Sequence, residues 1–348
     1  MIDYIIVGNG LAGISFAEIA LQNNKSIFVF DNNSQPSSRV AGGLYNPVVL
    51  KRFSEVWKAK EQIDFAFPLY HKIQSKLNVI FDFELPILRK LYSVEEQNNW
   101  FQAADKPNLA PFLDSKLVTK SYKSIVSPFH YGKVNHTGYL EISTLIEAYS
   151  NYLKSLNSFS NEAFLYNEIE FLEDCIQYKN IKTKHIIFAE GFSLHANPYF
   201  NDLPLDGTKG ELLIIKSPNL DLDVVIKSSV FILPIGNDLY KVGATYDWKD
   251  KTNTPTEEGK QELVVKLKEI ISCDFEIVQH FGGVRPTVKD RRPLVGTHPE
   301  FKQLHVLNGL GTRGVMLAPY LANQLFQHIE NNIPLEKEID IIRCYKNK

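Results

Sequence analysis

A glycine-rich segment near the amino terminus has the spacing of a phosphate-binding loop. Residues 8–13 read Gly-Asn-Gly-Leu-Ala-Gly, which is a G-x-G-x-x-G pattern. The first glycine permits a tight turn, the second lets the backbone approach a pyrophosphate, and the third lets a helix pack closely on a strand. Asp31 lies at the distance along the chain where a carboxylate can accept hydrogen bonds from a ribose diol. Together these residues predict a dinucleotide-binding site.

The elements around this loop have the order that such a site needs. Residues 4–7 form an apolar run without alternation, which is typical of a strand buried on both faces of a parallel sheet. A helical pattern covers 11–22, and 26–30 reads as a second strand that ends at Asp31. The start of that helix offers free N–H groups and a positive dipole end to phosphates. This βαβ unit alone does not distinguish FAD from NAD, and a purely structural βαβ unit is the alternative.

Three more segments have backbone features that suit an anion or a flat ring. Residues 37–47 are mostly small, so their N–H groups are open to a phosphate or a ring system, although an ordinary loop fits as well. Residues 186–191 form another buried strand that meets a glycine, Gly191. Residues 309–314, Gly-Leu-Gly-Thr-Arg-Gly, lead into a final amphipathic helix. This second glycine loop predicts a second anion site, far in sequence from the first.

Composition and charge restrict the class of protein. The chain has 348 residues with 44% hydrophobic and 22% charged residues, as expected of a globular protein with two domains or one large one. Its net charge of −2 argues against a protein that binds nucleic acid mainly by charge, although a local basic patch is compatible with it. Cys175, Cys273 and Cys344 are too few and too far apart for a disulfide framework or a zinc site.

The amino terminus and the histidines exclude two further features. The apolar run at 4–7 is too short for a signal peptide, and no stretch reaches the length of a membrane span. We therefore expect a soluble cytoplasmic protein without a membrane partner. His130 and His136 have a spacing that suits neither a helical nor a finger-type metal site, and no cysteine is near them. We expect no metal.

Four segments together resemble the FAD-dependent D-amino-acid-oxidase-like family, which includes glycine oxidase and sarcosine oxidase. They are 8–13 with Asp31, then 38–47, 189–211 with its Lys-Gly-Glu, and 283–319. Their order and spacing cover nearly the whole chain. Within the family, the carboxy-terminal segment is most similar to the oxidase domain of the bifunctional enzyme that modifies the wobble uridine of tRNA. The resemblance includes only that oxidase half and not the methyltransferase half.

The resemblance implies an α/β fold in which an FAD-binding, Rossmann-like domain is interleaved with a smaller α+β substrate domain built on an antiparallel or mixed sheet. The FAD-binding domain is expected at 1–78, 134–212 and 281–348. The substrate domain, which would roof the flavin, is expected at 79–133 and 213–280. FAD is expected to be bound non-covalently, because no cysteine lies where some members attach it.

The resemblance also implies the residues that bind the cofactor. They are Gly8, Gly10, Leu11, Ala12, Gly13, Asp31, Asn32, Ser38, Arg39, Ala41, Gly42, Gly43, Leu44, Gly191, Gly283, Arg285, Gly309, Gly311, Thr312, Arg313, Gly314 and Val315. Two positions depart from the family pattern. Asp31 stands where glutamate is commoner, and Glu190 stands where a small residue is usual, which puts the contacts around Glu190 in doubt.

The family chemistry implies oxidation of a C–N bond by hydride transfer to flavin N5, with dioxygen or another electron acceptor. Arg285 matches the arginine that clamps the substrate carboxylate, and the alternative is a structural salt bridge, for example to Asp290. Arg52 is a second candidate, with a solvated surface arginine as its alternative. Tyr246 and Tyr45 are candidates for lining the pocket, although a core position fits each of them as well.

Three functions therefore remain open. The first is an FAD-dependent oxidase or dehydrogenase of a small amino acid or N-substituted amino acid. The second acts on carboxymethylaminomethyl-uridine in tRNA, with the basic residues 289–292 as a phosphate contact or merely as solvated surface. The net charge counts against tRNA as the partner. The third is a flavin-binding protein without turnover.

Overall fold

In the computed structural model, which describes residues 1–345, the chain forms helices and strands that build two large sheets. The helices are α1 (Leu11–Gln22), α2 (Ala59–Leu77), α3 (Val94–Ala104), α4 (Ile142–Ser155), α5 (Glu257–Lys268), α6 (Gly314–Asn331) and α7 (Ile342–Tyr345). The strands are β1 (Ile2–Val7), β2 (Ile27–Phe30), β3 (Leu44–Tyr45), β4 (Val48–Val49), β5 (Ser54–Glu55), β6 (Asp82–Glu84), β7 (Ile87–Lys90), β8 (Leu113–Val118), β9 (Tyr131–Val134), β10 (Gly138–Leu140), β11 (Phe159–Ser160), β12 (Ile169–Phe171), β13 (Ile176–Tyr178), β14 (Ile181–Phe188), β15 (Thr208–Lys216), β16 (Val225–Lys227), β17 (Phe231–Pro234), β18 (Leu239–Gly243), β19 (Glu276–Arg285), β20 (Leu294–Thr297) and β21 (Leu304–Asn308).

The first sheet has β1 at its centre, parallel to β2 on one side and to β14 on the other. Strand β21 is also parallel to β14, so distant parts of the chain meet in one sheet. Both faces of β1 are buried: Tyr4 and Ile6 pack with α1 and α6, whereas Ile5 and Val7 pack with Phe188 and other residues of a separate cluster. This two-sided burial is the reason why β1 is apolar without alternation.

The second sheet has the order β19-β15-β18-β17-β16-β7-β9-β8. It is antiparallel except where β16 runs parallel to β7. One face packs against α5 through Leu263 and Leu267. The other face approaches the segment after β2, where Phe231 lies against Gly42. The predicted fold class, a Rossmann-like part combined with a smaller mixed-sheet part, is confirmed.

Two of the predicted domain boundaries fall within strands of the second sheet. The predicted boundary at 212/213 falls inside β15, and the boundary at 280/281 falls inside β19. Residues 346–348 of the predicted FAD-binding domain lie outside the described residues. The interleaved division therefore stays a prediction, in which both strands bridge the two parts.

Several predicted elements differ from the structure in length or continuity. The sequence pattern of residues 55–77 predicts a helix interrupted at Pro68, whereas α2 continues through this proline. Residues 224–233 are predicted from their apolar content as one strand, but the chain turns back at Ser228, whose N–H donates to the carbonyl of Val230. This turn separates β16 from β17. The helix α1 has the predicted bounds. Among the described residues, no helix has both the length and the apolar character needed to cross a bilayer.

The contact between α1 and β1 gives a stability test. A Cβ atom on Gly13 would lie 1.8 Å from the carbonyl oxygen of Gly8, so Gly13→Ala forces the helix away from the strand. We expect Gly13→Ala to lower the free energy of unfolding by about 3 kcal/mol or more. Urea unfolding followed by circular dichroism measures it.

Gly236 provides the matched control. It lies in the turn between β17 and β18 with φ +86°, and a Cβ there would meet nothing within 4 Å. Gly236→Ala therefore costs only the backbone strain of about 1 kcal/mol. Equal losses of unfolding free energy in the two variants would show that the contact with Gly8 is not the reason why position 13 requires glycine.

Candidate active site

The junction between β1 and α1 leaves no room for side chains. Gly8 has φ +103°, and a Cβ on it would lie 2.5 Å from the carbonyl oxygen of Ala189 at the end of β14. Gly10 immediately precedes α1 and has no side chain to cap the helix. A Cβ on Gly10 would lie 3.1 Å from Oγ of Ser38. The free N–H groups at the start of α1 therefore face a narrow space between the loop and Ser38.

A cavity of about 250 Å³ opens at the carboxyl ends of β1, β2 and β14. Six of the predicted cofactor residues line it: Gly8, Gly10, Asp31, Asn32, Ser38 and Gly191. The carboxylate of Asp31 accepts hydrogen bonds from the backbone N–H groups of Asn9 (3.1 Å) and Asn33 (2.9 Å). These bonds fix the carboxylate at the mouth of the cavity, where a ribose would lie.

Glu190 also lines this cavity. From the sequence it stands out only as a departure from the family pattern. Its Oε1 accepts a hydrogen bond from the hydroxyl of Tyr166 (2.5 Å), and its Oε2 accepts one from Nδ2 of Asn197 (2.8 Å). Burial raises the pKa of this carboxyl to about 7, in spite of the two hydrogen bonds, which act in the opposite direction. A neutral Glu190 would not repel the phosphates of a dinucleotide.

The second glycine loop adjoins the first. Gly311 has φ +56°, and Arg313 immediately precedes α6 without a side-chain cap. A Cβ on Gly314 would lie 3.2 Å from Cδ1 of Leu11, so the beginnings of α6 and α1 are in contact. Val315 and Ala12 are buried in the same core cluster. The two helix N-termini that the sequence predicted separately are therefore neighbours.

The small-residue segment passes between the two sheets. A Cβ on Gly43 would lie 2.1 Å from the carbonyl oxygen of Leu140, and one on Gly42 would lie 2.7 Å from the Phe231 ring. Facing the same segment, a Cβ on Gly283 would lie 2.5 Å from a methyl group of Val40. These close approaches explain why small residues are required here.

The other predicted members of this segment have simpler surroundings. Arg39 is exposed and its guanidinium donates to Oδ1 of Asn33 (2.8 Å). Ala41 is partly buried, and Leu44 pairs with Tyr139 in the small sheet that contains β3 and β10.

Arg285 lies at the end of β19, beneath Tyr246. Its guanidinium carbon is 4.7 Å from the centre of the Tyr246 ring, and its Nη1 is 3.3 Å from the carbonyl oxygen of Thr245. A Cβ on Gly210 in the neighbouring strand would overlap the guanidinium, so any side chain there would displace Arg285 from its present position. Burial lowers the pKa of Arg285, and Tyr246 partly opposes this. Tyr246 itself is 57% exposed, so it is not a core tyrosine.

The alternative of a salt bridge between Arg285 and Asp290 is wrong. Asp290 pairs instead with Arg343, at 3.4 Å. Within residues 1–345, Arg285 forms no ion pair. Arg313 resembles Arg285 in these respects. It has no acidic partner among the described residues, and burial lowers its pKa. It also interacts electrostatically with Tyr246. Two half-buried arginines without carboxylates therefore share one exposed tyrosine, and such cations favour an anionic ligand.

The remaining candidates lie elsewhere. Arg52 is exposed in the turn between β4 and β5, and the next residue, Phe53, packs edge-on against Trp100. Tyr45 is buried and donates to Asp82 (3.0 Å), which agrees with its alternative as a core residue.

The basic residues 289–292 do not act as one patch. Arg292 pairs with Glu338 and lies over the Trp57 ring, whereas Arg291 is exposed. For a metal, the described part of the chain has no group of three or more His, Cys, Asp or Glu side chains that could hold one.

Comparison with known proteins identifies the family. A family model described as FAD dependent oxidoreductase, DAO, matches residues 3–327. The chain belongs to the DAO family of FAD-dependent oxidoreductases. The family and the cofactor predicted from the sequence are thereby confirmed. The glycine loop without room for side chains, the Asp31 carboxylate and the paired helix N-termini fit the pyrophosphate and ribose of FAD.

Relatives within this family have two kinds of name. The chain is 21% identical to glycine oxidase of Bacillus subtilis, over 91% of the chain and 90% of that protein. It is 22% identical to the tRNA 5-methylaminomethyl-2-thiouridine biosynthesis bifunctional protein MnmC of Marinobacter nauticus, over 99% of the chain but only 59% of that protein. Among solved structures, iminodiacetate oxidase of Chelativorans has a TM-score of 0.79 at 15% identity, with 97% of this chain and 98% of that one covered. At this identity the structural likeness shows the fold alone.

Glu190 gives a pH-dependent stability test. Above the ordinary pKa of 4.5 the unfolded chain ionises this carboxyl, whereas the folded protein keeps it protonated up to about pH 7. The folded state then binds more protons, so the free energy of unfolding falls as the pH rises through this window, by up to roughly 3 kcal/mol. Glu190→Gln, which cannot ionise, removes this loss.

Urea unfolding of both proteins at about pH 5 and about pH 7 measures the difference. The wild-type protein should lose more stability between the two values than Glu190→Gln does. The same pH dependence in both proteins would contradict a protonated Glu190.

Proposed function

We propose that the protein oxidises the C–N bond of a small amino acid or N-substituted amino acid. The observation that carries this proposal is Arg285, a half-buried cation without an acidic partner among residues 1–345, at the end of a strand that faces the small-residue segment. A guanidinium binds a carboxylate through two parallel hydrogen bonds, so an amine that carries a carboxylate is the matching substrate.

The substrate end of the site is held by three elements. Arg285 comes from β19, Tyr246 from the segment after β18, and Arg313 from the residue before α6. Tyr246 lies over one face of the guanidinium, and Nη1 donates to the carbonyl oxygen of Thr245, so the remaining N–H groups of Arg285 are the ones proposed to bind a carboxylate. Arg313 adds a second positive charge to the same region and further favours an acidic substrate.

When bound, FAD supplies the two-electron acceptor for the substrate hydride. The protein has two tasks around it. The beginnings of α1 and α6 direct N–H groups at negative charge, and α6 is the candidate for stabilising the charge of the reduced ring. Because none of the three cysteines lines the cavity, the proposal includes FAD held without a covalent bond. The proposed electron acceptor is dioxygen or another acceptor.

A second candidate is a carboxymethylamino group on a tRNA uridine, which has the same carboxylate for Arg285. It is favoured by the likeness to MnmC over 99% of the chain. The net charge of −2 disfavours it, since binding to tRNA relies on many cationic contacts. The small amine therefore remains the first proposal.

The carboxylate clamp gives a kinetic test. Arg285→Met removes the charge and the paired donors, and we expect KM for a carboxylated amine such as glycine or iminodiacetate to rise by about 100-fold or more. Arg285→Lys keeps the charge but loses the bidentate geometry, so its KM should be intermediate. Steady-state rates over a range of amine concentrations measure both.

Arg52 is the control for the charge change. Because it is exposed on a turn, Arg52→Met should change KM by less than about threefold. If Arg52→Met raises KM and Arg285→Met does not, the clamp belongs to Arg52 and the assignment of Arg285 fails.

A further inference from the structure

A group of cations lies at the carboxyl ends of β7 and β16, away from the residues discussed above. We call Arg89, Lys90, Tyr92, Lys227 and Ser228 the β7–β16 cluster. These two strands form the parallel pair of the second sheet, and Arg89 lies directly beside Lys227 in the register. The two strand ends therefore bring positive side chains together at one place.

The cluster faces the part of the molecule that carries the glycine loops. Ile87 and Val225, each two residues before Arg89 and Lys227, pack into the core cluster that contains α1 and α6. Side chains two residues apart in a strand point to the same face. On this face Lys227 is paired in register with Phe231, whose ring lies against Gly42. Arg89 and Lys227 thus lie on the face that covers the candidate active site, whereas Lys90 follows Leu88 on the opposite face, which packs against α5.

The positive charge of the cluster is only partly neutralised. Glu96 accepts a hydrogen bond from Nη2 of Arg89 (2.6 Å) and one from the N–H of Tyr92 (2.8 Å). Nε of Arg89 is buried without a hydrogen-bond partner. Lys90 is 5% exposed and lies 5.0 Å from the centre of the Tyr92 ring.

Lys227 has no neutralising group at all among the described residues. It is half-buried, and it forms no hydrogen bond and no ion pair within residues 1–345. Burial, Arg89 and Lys266 lower its pKa to about 8. Like charges side by side on a sheet destabilise it, and an anion between them would remove that cost.

We propose that the β7–β16 cluster binds a phosphate group. A lysine ammonium and an arginine guanidinium are the usual partners of phosphate oxygens. The hydroxyls of Tyr92 and Ser228, which contact each other beside the cations, add further donors. A phosphate has enough oxygens to meet the free Lys227 ammonium and these hydroxyls at once.

The distance between Lys227 and Arg285 across the second sheet limits which ligand could contact both. Lys227 is on β16, four strands from Arg285 on β19. At about 4.8 Å between strands, this separation is roughly 20 Å. A small amino acid cannot reach both, so the phosphate belongs to a separate or longer ligand, and a free nucleotide and an RNA strand are the two sources that the experiment distinguishes. This site does not depend on the proposed oxidase activity.

Binding to the FAD-loaded protein tests the site, with uridine monophosphate and a fluorescently labelled single-stranded RNA as probes. We expect Lys227→Gln to weaken the binding of at least one probe by about tenfold or more. For the RNA, it should also reduce the slope of log affinity against log salt concentration by about 0.7. Lys182→Gln, the same charge change at an exposed position on β14, should leave binding unchanged.

The two probes distinguish the sources of the phosphate. Weakened binding of uridine monophosphate supports a nucleotide, and weakened binding of RNA alone supports a nucleic-acid strand. Lys227→Arg, which retains the charge, should bind the affected probe nearly as well as the wild-type protein. If neither probe binds, or if Lys227→Gln and Lys182→Gln behave alike, the proposal is overturned, whereas the assignment of Arg285 is unaffected.

Discussion

The contact between Gly13 and the carbonyl oxygen of Gly8 is the constraint on which the cofactor site depends. A single added carbon would lie 1.8 Å from that oxygen. Because the helix can approach the strand this closely, the first turn of α1 lies at the carboxyl end of β1. There it adjoins the beginning of α6, through Leu11 and Gly314. Two positive helix ends are thereby directed at one region, which no single element could achieve.

At the substrate end, the proposed choice of ligand rests on charge rather than on shape. Arg285 and Arg313 are both partly desolvated, and neither has an acidic partner within residues 1–345. A folded protein gains nothing from such cations unless a ligand supplies the opposite charge. The exposed ring of Tyr246 lies over one face of Arg285. These features support the proposal of an acidic substrate beside the dinucleotide.

The cofactor loop near the amino terminus could be predicted from the sequence because its parts are adjacent in the chain. The strand, the glycine loop and α1 follow one another within 22 residues, and their spacing has a direct physical meaning. The contact of Arg285 with Tyr246 could not be derived in that way, since it joins the end of β19 to the segment after β18 through tertiary structure. The polar residues 227–229 mark the turn at Ser228 within an otherwise apolar segment, but the pairing of Lys227 with Arg89 joins distant segments and could not be derived from the sequence.

The central claim is that an FAD-bearing site accepts amines through their carboxylate, and anaerobic reduction of the bound flavin tests it most directly. The FAD-loaded protein is mixed without oxygen with glycine, iminodiacetate and other carboxylated amines, and with methylamine as the counterpart that lacks a carboxylate. We predict that at least one carboxylated amine bleaches the yellow flavin and that methylamine does not. Bleaching by methylamine alone, or by none of the amines, would contradict the account.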